Sequence, residues 1–142
     1  MKLSGRRKLR SVALQILYNL DLMESWHEVD KALQEAFFRE KIEKEEDIAF
    51  IKEIVLCVVK NRENIDKIIS SYLKGWDIHR LNVIERNILR MGTCELLFLG
   101  KVPYRVAINE AVELAKLFGA EGAPGLVNGV LDKIAREKGV KE

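Results

Sequence analysis

Ile51-Lys52-Glu53-Ile54-Val55-Leu56-Cys57-Val58-Val59-Lys60-Asn61-Arg62-Glu63-Asn64-Ile65-Asp66-Lys67-Ile68-Ile69-Ser70-Ser71-Tyr72-Leu73 is the stretch on which the fold turns. Ile51, Ile54, Val55, Val58, Ile65, Ile68, Ile69, Tyr72 and Leu73 recur at three- and four-residue steps, the spacing of one helix face. The frame survives the polar residues Asn61, Arg62, Glu63 and Asn64. One long helix is therefore predicted, with that tetrad the place for a kink and Gly75 the stop.

Outward from it, the same periodicity repeats. Upstream of a charged connector over residues 39–47, Val29, Ala32, Leu33, Ala36 and Phe37 form a shorter stripe, entered through residues of capping type. Leu9, Val12, Ala13, Ile16, Leu17 and Leu20 form another. Downstream, Trp76-Asp77-Ile78-His79-Arg80-Leu81 reads as a turn or a single helical turn. Asn82 then reads as the N-cap of a helix carrying Val83, Ile84, Ile88, Leu89, Met91, Leu96 and Leu97 toward Gly100. The only prolines, Pro103 and Pro124, separate helical patterns. A helix runs to Phe118 and ends at Gly119, residues 120–125 read as a loop, and Leu126, Val127, Val130, Leu131, Ile134 and Ala135 make a last stripe before Gly139. No segment alternates with period two. The fold class is all-α, with about seven helices.

The chain of 142 residues is 48% apolar and 32% charged, enough to bury a core without staples. No apolar stretch approaches the ~20 residues of a membrane span. The charged N-terminus has no secretory pattern, so a cytosolic protein is expected. Cys57 and Cys94 lie in apolar runs and read as buried free thiols. With His27 and His79 far apart, the four or so ligands of a structural zinc site cannot be assembled, and no cofactor is expected.

Charge is distributed unevenly. Lys2, Arg6, Arg7, Lys8 and Arg10 precede the first acid, Asp21; without those five, the net +2 becomes −3 for the rest. A basic arm over residues 1–8 leading into the first helix suits a polyanion. Arg7 and Tyr18, eleven positions apart, project within about 20° on a helix, and Arg10 flanks them at about 80°. A guanidinium for phosphate beside a ring for a base is a way to hold RNA, although Tyr18 could equally rim the core. Tyr72 and Trp76 at the end of the long helix read first as core plugs. Phe118, beside a glycine-rich loop, is either core or an exposed base platform. Catalysis finds no support. There is no GxSxG, no phosphate loop and no HExxH, and Glu110 and Glu113 at helical spacing read as solvated carboxylates, so no enzyme is expected.

Several motifs, in order, resemble the NusB transcription antitermination family: Arg6-Arg7 with Ala13-Leu14-Gln15-Ile16-Leu17-Tyr18; Trp76-Asp77-Ile78-His79-Arg80-Leu81; Glu85-Arg86-Asn87-Ile88-Leu89-Arg90; Val106-Ala107-Ile108-Asn109-Glu110-Ala111; and Val127-Asn128-Gly129-Val130-Leu131-Asp132. The resemblance implies two packed helical bundles sharing one core, with residues 1–74 as the N-terminal half and 75–142 as the C-terminal half. It implies pairing with NusE, a small-subunit ribosomal protein, binding of the single-stranded boxA element of nascent RNA, and service to the RNA polymerase antitermination complex on ribosomal RNA operons. By the same resemblance Arg6, Arg7, Arg10, Tyr18, Phe118 and Lys2 face RNA, and Tyr72, Asp77 and Glu85 face NusE. Leu126 replaces a frequent aromatic, Gly122 an acid or Asn, and Cys94 an aromatic, which shifts weight in the C-terminal RNA contact to Phe118. An exposed partner face also suits a homodimer. The same domain occurs fused to RNA cytosine methyltransferases, for which 142 residues leave no room, and a purely protein-binding scaffold is the other alternative.

Overall fold

The computed structural model describes residues 5–140; Lys2 lies outside them. Six α-helices follow one another: α1 (Gly5–Leu22), α2 (Val29–Arg39), α3 (Glu45–Ser70), α4 (Val83–Cys94), α5 (Tyr104–Phe118) and α6 (Ala123–Glu137). Short 3-10 turns at Trp26–Glu28 and Ile78–Arg80 and a π turn at Glu95–Leu99 complete them. The long helix exists and passes through Asn61 without a break, Asn61 donating its side-chain N–H to the Cys57 carbonyl. Its start carries Glu45, Glu46 and Asp47, negative charge at the positive end of the helix dipole.

Four details differ from the periodicity. Helix α1 begins at Gly5, so Arg6, Arg7 and Lys8 belong to its first turns and not to an arm ahead of it. Helix α3 ends at Ser70, before Gly75: the amides of Tyr72 and Leu73 turn back to carbonyls three residues earlier, and the Ser70 hydroxyl takes the Ile78 N–H. Lys74 and Gly75, both at positive φ, then reverse the chain. After Cys94 the helical ladder widens into the π turn, closed by Gly100 at φ +58°. Apolar spacing does not distinguish that wider ring. Finally, the last loop is shorter than expected, because Ala123 and Pro124 already belong to α6, where a proline in the first turn costs no hydrogen bond.

Helix α4 sits at the centre and packs against α1, α3, α5 and α6, within one contiguous apolar core. Gly92 allows the close packing of α4 on α6, and Gly119 the tight junction between α5 and α6. A Cβ on Gly92 would lie 2.6 Å from Leu131 Cδ1, and one on Gly119 would lie 2.7 Å from Ala123 Cβ and 2.8 Å from the Ala115 carbonyl oxygen. Among the described residues no helix is long and apolar enough to cross a membrane, and no group of three or more His, Cys, Asp or Glu is placed to hold a metal.

Candidate nucleic-acid interface

The first turns of α1 hold Arg6, Arg7 and Lys8 and no acid. Unpaired backbone N–H groups and the helix dipole already make such an end attractive to anions. Arg6 is exposed, its guanidinium 4.8 Å from the centroid of the Phe50 ring. Lys8 is exposed as well. Arg7 is part-exposed and gripped from α5: Nε donates to Glu110 Oε1 at 3.0 Å and Nη2 to Oε2 at 2.9 Å, with Glu113 at 3.7 Å from Nη1. The hydrogen bond and charge of Arg7 hold the Glu110 carboxyl below its ordinary range, against burial, which pushes it up.

Arg10 is placed differently from the expectation. It is 3% exposed, donates to both oxygens of Glu95 at 2.8 Å, and lies 5.2 Å from the Phe50 ring centroid. Burial pulls its guanidinium down, but the Glu95 bond and charge outweigh this and hold it charged. As it stands, Arg10 offers no face to a phosphate. It ties the cationic end of α1 to the π turn. Tyr18, further along α1, is half-buried, and Phe118, at the C-terminus of α5, is 47% exposed.

The residues expected to face a protein partner also separate. Tyr72 is half-buried and lines a groove of about 470 Å³ with Leu73, Trp76, Leu81, Leu126 and Val130. Asp77 is exposed and caps the 3-10 turn, accepting from the backbone N–H of His79 and bonding its ring at 2.8 Å, which holds the carboxyl below its ordinary range. Glu85 is 9% exposed and works within the fold. Its amide donates to Asn82 Oδ1, Asn82 Nδ2 donates back to Glu85 Oε2 at 2.7 Å, and the Ala120 amide reaches the same oxygen at 3.4 Å. This reciprocal cap joins the start of α4 to the α5–α6 loop. Glu85→Ala is expected to cost about 1–2 kcal/mol, measured by urea unfolding, because the Asn82 amide and the Ala120 N–H lose their acceptor while the Asn82 cap on the backbone N–H of residue 85 remains.

One constellation escaped the sequence reading. At the far end of α1, Asp21 accepts from Arg86 Nε at 2.6 Å and Nη2 at 2.9 Å, from Asn87 Nδ2 at 2.9 Å and from Arg90 Nη1 at 2.9 Å. Arg90, 1% exposed, also holds Asp66 of α3 with two bonds of 2.8 and 2.9 Å and donates to Asn87 Oδ1. The rings and charges extend outward, with Arg90 and Arg62 lying 5.5 and 4.3 Å from the Trp26 ring centroid. Burial pushes the Asp21 carboxyl up, but Arg86, Arg90 and Asn87 together hold it below its ordinary range. The available signal was Arg86, Asn87 and Arg90 within a helix otherwise reading as apolar; three polar side chains there need buried partners.

A cationic helix end braced from behind by carboxylates, on an all-helical body, is the kind of surface that suits a polyanion. The NusB family model matches residues 7–136, and the chain belongs to the NusB family. It is 42% identical over 132 residues to transcription antitermination protein NusB of Exiguobacterium sp. (strain ATCC BAA-1283 / AT1b), covering 93% of this chain and 98% of the relative. The corresponding protein of Dehalococcoides mccartyi (strain CBDB1) is 37% identical over 133 residues, covering 94% and 91%. Among solved structures, T. maritima NusB superposes with a TM-score of 0.86 at 34% identity over 96% of this chain and 94% of that one. A structure of antitermination factors NusB and NusE in complex with dsRNA superposes at 0.85 and 32% identity, covering 93% and 96%.

Proposed function

We propose that this protein is a cytoplasmic, non-enzymatic transcription antitermination factor that pairs with NusE and binds the boxA element of nascent RNA, supporting transcription of ribosomal RNA operons. The observation carrying this reading is the near-complete superposition on a NusB in complex with NusE and RNA. The cationic end of α1 is the proposed phosphate contact, through Arg6 and Arg7, with Lys2 adding charge from the sequence ahead of it. Tyr18 and Phe118 are the proposed base contacts. Arg10 supports the cationic end of α1 from beneath through Glu95. Tyr72 and Asp77 are the proposed NusE face, and Glu85 holds that face in place through its cap.

A boxA titration with and without NusE, across a salt series, tests ligand, partner and electrostatics together. Arg6→Ala is expected to weaken binding and flatten the salt slope by about one unit, as one lost phosphate contact would. An unchanged slope would remove Arg6 from the interface. Tyr18→Ala and Phe118→Ala are each expected to lower RNA affinity by about 1–3 kcal/mol if they stack on bases. Reduced thermal stability with full affinity would place either ring in the core. Because the superposed complex holds dsRNA, a duplex of the same sequence belongs in the series. Preference for the duplex would overturn the single-stranded boxA reading.

A further inference from the structure

Cys57 lies midway along α3 and Cys94 ends α4, and the two sulfurs meet across the α3–α4 contact at 2.9 Å, sharing a hydrogen bond. Both are free thiols; Cys94 is fully buried and Cys57 is half-buried. A disulfide sets its sulfurs about 2.05 Å apart, so these two sulfurs stand within about 1 Å of bonding distance. The two residues are 37 positions apart in sequence, and the core packing of α3 on α4 brings them together.

We propose that Cys57 and Cys94 are a reversible redox site that a hydroperoxide converts to an intramolecular disulfide. Cys57 is the attacking sulfur. It has the solvent access, and the hydrogen bond it shares with Cys94 holds its thiol below the ordinary range, opposed by burial and helped by the Asn61 amide. Cys94, pushed up by its neighbour and by burial, keeps its proton. The Cys57 thiol gives its proton to solvent, its thiolate attacks the peroxide, the O–O bond breaks, and one oxygen stays on sulfur as a sulfenic acid while the other leaves as alkoxide or hydroxide and takes that proton back from solvent as alcohol or water. Cys94 Sγ then attacks the Cys57 sulfur, forming the S–S bond and breaking S–O. The departing hydroxide takes the Cys94 proton and leaves as water. Two thiols are oxidised by two electrons and one peroxide is reduced. In a reducing compartment the pair stands as a dithiol and closes only under oxidant load.

The full-length protein, treated with one equivalent of hydrogen peroxide, quenched and weighed intact without reductant, tests this. The expected product has lost about 2 Da, the two thiol hydrogens, and returns to starting mass with dithiothreitol. Peptide mapping is expected to link Cys57 to Cys94. The melting temperature is expected to rise by on the order of 10 °C, as closure of a loop of this length implies. Cys57→Ser, at a half-exposed position, is expected to abolish the mass and melting shifts while folding normally. Two alkylatable thiols after treatment, an over-oxidised Cys57 beside a free Cys94, or a disulfide-linked dimer would each overturn the proposal. The mass and map of the unsubstituted protein give that answer even if a Cys94 variant fails to fold.

Discussion

Arg90→Ala is expected to remove about 3–5 kcal/mol from the folding free energy, because it leaves Asp21 and Asp66 without the guanidinium that bridges them. In a domain of this size that is a large share of the total. Urea unfolding by circular dichroism should show the midpoint falling sharply at unchanged slope. The pH dependence gives a second readout. The Asp21 carboxyl titrates below its ordinary range in the fold. Its stabilisation is therefore complete above the unfolded carboxylate pKa and disappears as pH falls through the lower folded value. Removing Arg90 takes away part of what holds Asp21 charged, so acid unfolding of the variant should begin at higher pH. Equal acid midpoints would mean that Arg86 and Asn87 suffice to hold Asp21.

Arg10→Ala should be about as damaging, again some 3–5 kcal/mol, since Glu95 would stay buried without its partner. Replacing both as Arg10→Met with Glu95→Leu should recover most of that loss, because an apolar pair of similar volume avoids both desolvation penalties. The same series separates support from contact. At a temperature where the double variant is folded, the salt slope of RNA binding should match that of the unsubstituted protein. A slope reduced by about one unit would show that Arg10 swings out to meet phosphate after all.

The helices were legible because apolar spacing is a local property. The stripe from Ile51 to Ile69, the N-cap at Asn82 and the stop at Gly119 each depend on residues within a few turns. Packing partners are not local. Arg10 reads as an RNA-facing residue of the first helix until Glu95, 85 positions on, arrives through the π turn. Asp21 reads as the first acid after a basic stretch until α4 brings Arg86, Asn87 and Arg90 to it. Two cysteines in separate apolar runs carry no sign that their sulfurs meet. Of the cationic cluster itself, Arg6, Arg7 and Lys8 were legible from charge alone, because nothing acidic lies near them in sequence. Their seating within α1 was less so, since a helix that starts at a glycine leaves a weak boundary signal.

The grip of Glu110 and Glu113 on Arg7 gives the protein an internal counterion. A phosphate that takes Arg7 must compete with carboxylates already in place, so binding there is ion exchange within the complex. The cation released from RNA is partly recaptured by the carboxylate set free, and the salt slope should fall short of one unit for this arginine. Because Arg7 holds Glu110 ionised below the ordinary carboxylate range, the exchange should persist across neutral and mildly acidic solution. With Arg7 as the proposed contact, RNA affinity should fall less steeply with ionic strength than for an unguarded cluster of the same charge.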